Sequence, residues 1–406
     1  MMSFVSSEFL AFLQLRFFLA VAWHMQALIV SWYVYSVTND PFWLALIGLA
    51  EAIPAIGMAL PMGYVVDRLD KRKGIRIAVS MIILSALGTA VILLPQIRQH
   101  IGISAVLNGL LVMIFINGSA RAIYGPSMFS SLGRIVQRED IPRASAVNSG
   151  VWQAAMITGP VAGGLLYGYF GVQTASIVVL LLMFAGGLGA LRITPKPPVD
   201  TESRGSMRQD LTLGLRFIFS RPVIVGALSL DLFAVLFGGV VALLPVFAKD
   251  ILATDEAGLG LLRAAMGIGS ITTMVLVAWR PIGRAAGRML LWSVAGFGIC
   301  ILIFAVSTSF WLSVGVLVAA GALDAVSVVI RHTILQMQTP EEMKGRVAAA
   351  NTMFISSSNE LGAVESGLAA RLLGTVPSVL VGGTITLAVV GLVALRNKPL
   401  REASIE

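Results

Sequence analysis

Four acidic side chains inside long apolar stretches are the first candidates for chemistry. They are Asp231, Glu51, Glu360 and Asp324. A charged side chain within a lipid bilayer is costly unless it faces a cavity or a partner, so each acid is a functional candidate. Burial disfavours the charged form of a carboxyl group, which can then bind and release a proton near neutral pH. We therefore predict that one of these acids carries protons through the membrane.

Asp231 is the first candidate for this role. A helix that starts near Pro222 rises about 1.5 Å per residue, which places Asp231 roughly 13 Å along it, near the middle of a bilayer. The sequence neighbours of Asp231 are apolar. The alternative is that Asp231 only forms an ion pair with a buried arginine such as Arg331 or Arg121.

Other polar residues in the apolar stretches are predicted to line a central cavity that binds a small molecule. Glu360 ends a run of five polar residues that begins at Ser356, which suits a cavity wall better than a lipid-facing surface. The alternative for His24 is a hydrogen-bonded packing residue. Arg331 and Asp324 lie seven residues apart on one helix face, where a structural ion pair is the alternative. The predicted cavity residues are Arg121, Arg331, His24, Gln26 and Asn359.

The apolar stretches themselves predict a protein embedded in a lipid bilayer. Hydrophobic residues make up 57% of the 406 residues and charged residues only 12%, which excludes a soluble globular protein. A helix needs about 20 residues to cross the hydrocarbon of a bilayer. Twelve runs are predicted to do so: 9–37, 42–66, 75–95, 101–130, 144–170, 173–192, 222–248, 258–279, 287–307, 310–335, 346–373 and 377–396.

The 29 lysine and arginine residues are distributed unevenly among the loops between these runs. Most of them lie in alternate loops, whereas only Arg98, Lys249 and Arg371 lie in the loops of the opposite side. Positive side chains concentrate on the cytoplasmic side of a membrane. The sequence therefore predicts that both termini are cytoplasmic. The net charge of +8 is explained by the basic cytoplasmic loops, so it does not indicate nucleic-acid binding.

The chain is predicted to consist of two related halves. A polar, proline-rich segment lies near its middle. Arg143 with Asn148 opens the fifth run, and Arg346 with Asn351 opens the eleventh at the same spacing. The predicted domains are a six-helix bundle at 1–192, a cytoplasmic linker at 193–221 and a second six-helix bundle at 222–406.

A charged motif lies between the second and third runs, in residues 63–74, here called the gating loop. Gly63 is followed by Asp67 and Arg68, and Arg72 comes shortly after them. We predict that Asp67 lies at the amino end of the eleventh helix, where unpaired N–H groups attract an anion. The two arginines would reach the acids just before the fifth run and hold the cytoplasmic side closed.

The fifth run carries a second motif, with Gly159 and Pro160 followed by Gly163 and Gly164. Small residues four apart let membrane helices approach closely. A proline inside such a helix introduces a bend, where the bundle could flex. Close packing and flexing are compatible interpretations of this motif.

Together these motifs resemble those of the major facilitator superfamily. The gating loop resembles its signature loop, although Asp70 stands where that family usually has glycine. The segment from Gly159 to Gly164 resembles a motif of its exporters, and Arg121 with Gly125 resembles an element of its proton-coupled members. The whole chain looks like the branch that includes the enterobactin exporter and the macrolide efflux pumps of bacteria.

The resemblance implies an all-α membrane protein with twelve transmembrane helices in two pseudo-repeated six-helix bundles around a central cavity. It implies a monomer in the bacterial inner membrane that exports a small molecule in exchange for protons. A siderophore is the first candidate substrate, and a macrolide or another drug is the alternative.

Other functional classes find no support in the sequence. It contains no metalloprotease, serine-hydrolase or nucleotide-binding motif and no potassium-channel filter, so we expect neither an enzyme nor a channel. Cys300 is the single cysteine and the three histidines are scattered, so no metal or other cofactor is expected.

Overall fold

The structure is a computed structural model that describes residues 6–58, 62, 70–195, 207–279, 285–340 and 343–404, without the side chains of residues 71, 207–211, 278, 349 and 356. These residues form helices joined by turns, and they contain no strand. Contacts group the chain into two units. Unit 1 comprises Met1–Asn39, Leu49–Glu202 and Thr254–Ala264, and unit 2 comprises Asp40–Gly48, Ser203–Ala253 and Ala265–Glu406.

Five long helices make up the first part of the chain. The Ser6 side chain caps the first of them by accepting a hydrogen bond of 3.1 Å from the Phe9 amide. Asn39 ends the same helix in the left-handed conformation, with φ of 49°. The five helices are α1 (Ser7–Thr38), α2 (Phe42–Gly57), α3 (Lys71–Ile92), α4 (Pro95–Ile135) and α5 (Ile141–Arg192).

Glycines with positive φ break two of these helices. Gly102 in α4 has φ of 74°, and Gly171 in α5 has φ of 79° with ψ of 168°. A residue with a Cβ atom rarely adopts this conformation. The break at Gly171 divides α5 into two segments, which correspond to the predicted runs 144–170 and 173–192.

Helix α1 is the central helix of unit 1. It is buried along most of its length, and Phe12, Leu15 and Leu28 are among its fully buried side chains. The second segment of α5 packs closely on it, because a Cβ atom at Gly189 would lie only 2.6 Å from the Ala11 carbonyl oxygen. The glycines of α5 therefore set how closely it approaches α1.

Seven further helices follow in the second part of the chain. The second of them, α7 (Pro222–Gly238), continues after Gly239 with a 3-10 turn and a π-helical turn, so its apolar stretch extends over Pro222–Ile251. The helices are α6 (Met207–Phe219), α7 (Pro222–Gly238), α8 (Glu256–Trp279), α9 (Ala286–Val306), α10 (Phe310–Gln338), α11 (Lys344–Leu373) and α12 (Thr375–Arg396), with a short turn at Lys398–Arg401.

Within the described residues, nine helices are long and apolar enough to cross a membrane. One of the nine contains both segments of α5. Helix α2 is shorter, with 16 described residues, and α11 has 30 residues but carries a polar run. Together they account for the twelve predicted spans and confirm a multi-pass, all-α membrane protein.

Helix α6 lies in the segment predicted from the sequence to be only a linker. Ile218 of this helix joins a core cluster with Leu335 and Val347 in unit 2. Gly214 allows the close approach, because a Cβ atom there would lie 2.6 Å from the Arg346 carbonyl oxygen. A short amphipathic helix buries one side without being apolar enough to span a bilayer.

Candidate functional site

Glu51 of α2 and Arg121 of α4 form an ion pair in unit 1, in which Arg121 Nη1 donates to Glu51 Oε1. Their side chains keep 24% and 30% of their exposure. Gly118, one turn before Arg121, brings the helices together, because a Cβ atom there would lie 2.9 Å from the Glu51 carbonyl oxygen. Two of the predicted residues thus meet at a partly exposed site.

Three aromatic rings lie beside this pair. The Trp23 and His24 rings are stacked with centroids 5.6 Å apart, and Trp152 of α5 lies 5.7 Å from Trp23 and 5.4 Å from His24. The Arg121 guanidinium lies 3.9 Å from the centroid of the Trp23 ring. A cation at this distance from an indole face is attracted by the ring.

Gly159 of the second motif positions His24. A Cβ atom at Gly159 would lie 2.7 Å from the His24 Cβ atom and 2.9 Å from the Val21 carbonyl oxygen. One turn later, a Cβ atom at Gly163 would lie 3.1 Å from the Met25 Cα atom. The glycines therefore hold α5 directly against the part of α1 that carries the aromatic rings.

The remaining glycine of this motif, Gly164, contacts the start of α8, within unit 1. A Cβ atom on Gly164 would collide with the Glu256 carbonyl oxygen, and one on Gly260 would lie 2.6 Å from the Pro160 carbonyl oxygen. Glu256 Oε1 accepts a hydrogen bond of 2.8 Å from Trp32 Nε1. The glycines of the motif thus allow close packing of helices. The first turns of α8 pack against α5 and are hydrogen-bonded to α1.

Asp231 of α7 pairs with Arg331 of α10 in unit 2, where Arg331 Nη1 contacts Asp231 Oδ1. This pair is buried, since the side chains of Arg331 and Asp231 keep only 4% and 9% of their exposure. Asp324 lies two turns before Arg331 on α10 and forms no ion pair within the described chain. Arg331 therefore bonds to the acid of another helix rather than to the acid on its own helix.

Two side chains in the polar run of α11 bond to the backbone of their own helix. Ser358 Oγ donates to the Ile355 carbonyl oxygen at 2.9 Å, and Asn359 Nδ2 donates to the same oxygen at 2.8 Å. The Asn359 side chain is exposed, whereas Glu360 is buried. Such local bonds satisfy polar groups within an apolar environment. The cavity role of Asn359 stays a prediction.

Gln26 lies on α1 close in sequence to the aromatic rings, but it is buried. Its Nε2 atom donates to Thr89 Oγ1 of α3 at 3.1 Å, and only 5% of the residue is exposed. Gln26 is thus placed at a contact between helices. Its predicted contact with a substrate stays untested.

Gly63, Asp67 and Arg68 of the gating loop lie outside the described residues. Asp70 Oδ1 caps α3 by accepting a hydrogen bond of 2.9 Å from the Arg72 amide.

The Arg72 side chain forms no ion pair with Glu139 or Asp140 in the described part of the chain. Asp140 instead lies 4.0 Å from Arg143. The predicted contact of Arg72 with these acids is therefore absent here.

The sequence profile of the Major Facilitator Superfamily matches residues 12–363. The chain belongs to the Major Facilitator Superfamily. It is accordingly a membrane transporter and not an enzyme, as the motifs predicted. Its twelve membrane-spanning helices form the two six-helix bundles of the major facilitator fold.

The relatives of this facilitator include enterobactin exporters. The enterobactin exporter EntS of Salmonella choleraesuis is 26% identical over 275 residues, which cover 66% of this chain and 64% of the relative. The similarity thus spans less than two thirds of the relative's length.

Solved structures of other transporters share the fold. A variant of the nucleoside transporter NupG superposes with a TM-score of 0.73 at 13% identity, over 96% of this chain and 99% of that chain. A bacterial homologue of the human lysosomal transporter Spinster superposes with a TM-score of 0.69 at 13% identity, over 98% of this chain and 97% of that chain.

The site of this facilitator also contains residues that the sequence motifs do not indicate. Arg16 of α1 has its guanidinium 4.3 Å from the centroid of the Trp152 ring, yet neither residue was a candidate. Arg263, near the start of α8, donates to Ser31 Oγ at 2.9 Å. The sequence does contain a signal for both arginines. Like Arg121, Arg16 and Arg263 are basic residues inside an apolar run.

Proposed function

We propose that the protein is a proton-coupled exporter that moves a small molecule out of the bacterial cytoplasm by alternating access. A siderophore is the first candidate substrate. The protein works as a monomer in the inner membrane, with both termini cytoplasmic and with halves at 1–192 and 222–406 joined by the linker at 193–221. The observation that carries the proposal is the buried pair of Asp231 with Arg331.

Protonation of Asp231 would change the balance of charge in unit 2. The proton neutralises the carboxylate and removes the attraction that holds the Arg331 guanidinium. A buried guanidinium without a counter-ion is costly, so Arg331 must then find water or another anion. Proton binding and the arrangement of α7 and α10 are therefore linked, and such linkage is what a proton-driven carrier requires.

The pair of Glu51 with Arg121 suits a different role. It keeps about a quarter of its exposure and lies beside Trp23 and His24. A charged pair that solvent can reach can exchange a protein contact for a contact with substrate. The likeness to enterobactin exporters over 275 residues supports a siderophore as that substrate.

Transport into inverted vesicles tests the proposal. The purified protein is reconstituted so that its cytoplasmic side faces outward, with an acidic lumen. We expect an iron-free siderophore to accumulate inside while protons leave, and we expect an ionophore that collapses the pH gradient to stop accumulation. Accumulation that persists with the ionophore would contradict proton coupling. Accumulation of a macrolide without siderophore uptake would establish the alternative substrate.

A further inference from the structure

Two arginines and two tryptophans form a continuous series of contacts in unit 1, here called the arginine–tryptophan ladder. The Arg16 guanidinium lies 4.3 Å from the centroid of the Trp152 ring, the Trp152 and Trp23 rings lie 5.7 Å apart, and the Arg121 guanidinium lies 3.9 Å from the Trp23 centroid. Three helices contribute to it, since α1 supplies Arg16 and Trp23, α4 supplies Arg121, and α5 supplies Trp152. All four side chains are partly exposed.

The two cations of the ladder differ in how they are neutralised. Arg121 pairs with Glu51. No carboxylate of the described chain pairs with Arg16, and its buried Nε atom has no hydrogen-bond partner. The hydroxyl of Tyr124 is a polar neighbour of Arg16. A positive charge within a membrane that lacks a counter-ion attracts an anion strongly.

The aromatic rings beside Arg16 favour an anion that carries a flat ring. A guanidinium over an indole face is attracted by the ring, and its N–H donors lie in its own plane, so they remain able to bind a carboxylate at its edge. Trp152, Trp23 and the stacked ring of His24 offer aromatic surface next to that edge. The Nε2 atom of His24 is buried without a hydrogen-bond partner.

We propose that the arginine–tryptophan ladder binds an aromatic anion, meaning a carboxylate or phenolate carried on a flat ring. The anionic group binds the Arg16 guanidinium, and the ring packs against Trp152 and Trp23. This inference rests on the proposed function in one respect, that the transported molecule is small. It names the chemical class of the substrate and does not depend on how export is driven.

Binding of simple probes tests the ladder without any transport. The full-length protein in lipid nanodiscs is titrated with 2-hydroxybenzoate, with its neutral amide 2-hydroxybenzamide and with acetate, and empty nanodiscs correct for partition into lipid. Tryptophan fluorescence and equilibrium dialysis report binding. We expect 2-hydroxybenzoate to bind at least tenfold more tightly than either other probe. Equal binding of the amide would overturn the role of charge, and equal binding of acetate would overturn the role of the ring.

Variants assign the binding to the ladder. Arg16→Gln and Trp152→Leu should each weaken binding of 2-hydroxybenzoate at least tenfold. The matched control is Arg98→Gln, because Arg98 also lies over an aromatic ring in unit 1, with its guanidinium 5.6 Å from the Tyr33 centroid. Unchanged binding in correctly folded Arg16→Gln, or an equal loss in Arg98→Gln, would refute the assignment. If Arg16→Gln fails to fold, Trp152→Leu gives the same test.

The outcome separates this inference from the proposed function. Because no gradient is applied, tight binding of 2-hydroxybenzoate supports the ladder even where the vesicle experiment finds no proton coupling. Conversely, proton-driven export of a siderophore with no charge-dependent binding at Arg16 would leave the function intact and reject the ladder.

Discussion

The pair of Asp231 with Arg331 and the pair of Glu51 with Arg121 share their chemistry but differ in burial. Removing one partner of a buried pair leaves an uncompensated charge and costs about 3–5 kcal/mol, whereas an exposed pair contributes about 1 kcal/mol or less. The same replacement should therefore have unequal effects in the two units.

Asp231→Asn should abolish proton-driven accumulation in inverted vesicles while substrate binding and passive exchange remain. The amide cannot carry a proton, although it can still bond to Arg331. Accumulation, exchange and thermal unfolding are measured together. Full accumulation in this variant would remove Asp231 from the proton path, and a loss of stability with normal coupling would make the pair purely structural.

Glu51→Gln is the matched comparison for Asp231→Asn. Because Glu51 keeps 24% of its exposure, we expect a smaller change in the unfolding temperature than Asp231→Asn produces. A larger loss of stability in Glu51→Gln would show that burial does not set the cost of breaking these pairs.

At the scale of helices, the contact of α5 with the start of α8 depends on Gly164, which has no side chain. A Cβ atom on Gly164 would collide with the Glu256 carbonyl oxygen, whereas one on Gly168, one turn later, would lie 3.7 Å from the nearest atom of Glu256. Overpacking costs typically about 1–3 kcal/mol. Gly164→Ala should thus lower the unfolding temperature and slow transport, and Gly168→Ala should change neither. Similar behaviour of both variants would contradict this view of the motif.

At the scale of the whole molecule, the charge pattern predicts its orientation in the membrane. Alkaline phosphatase is active only outside the cytoplasm, so we expect activity when it is inserted after His100 and none when it is inserted after Arg192. A fluorescent protein that folds only in the cytoplasm should give the opposite result at the two sites. Reversal of either signal would reverse the predicted topology.

The gating loop leads to a prediction about the conformational equilibrium. Asp67→Asn should leave the protein folded and inserted but weaken transport, because loss of the carboxylate charge would favour the inward-open state. Labelling of cysteines introduced near the cytoplasmic ends of the helices should increase. Unchanged labelling together with normal export would show that the loop is not a latch.

The sequence alone determined the number of membrane-spanning helices, the membrane setting and the family. These features follow from short stretches of sequence, because each membrane span needs about 20 apolar residues. A charged side chain inside a span is costly, so its presence indicates a functional or structural role. That is why Asp231, Glu51, Arg121 and Arg331 could be selected without a structure. Helix α6 escaped this reasoning because its stability depends on packing against α11 and not on its own composition.

Tertiary structure decided which of these residues meet. The sequence left Arg331 and Arg121 open as partners of Asp231, and the packing of α7 with α10 selects Arg331. The contact of Arg16 with Trp152 likewise arises only because α5 packs against α1. Periodicity and composition are properties of single helices. The partner of a buried charge is instead a residue of another helix, so it depends on how the helices pack in the folded unit.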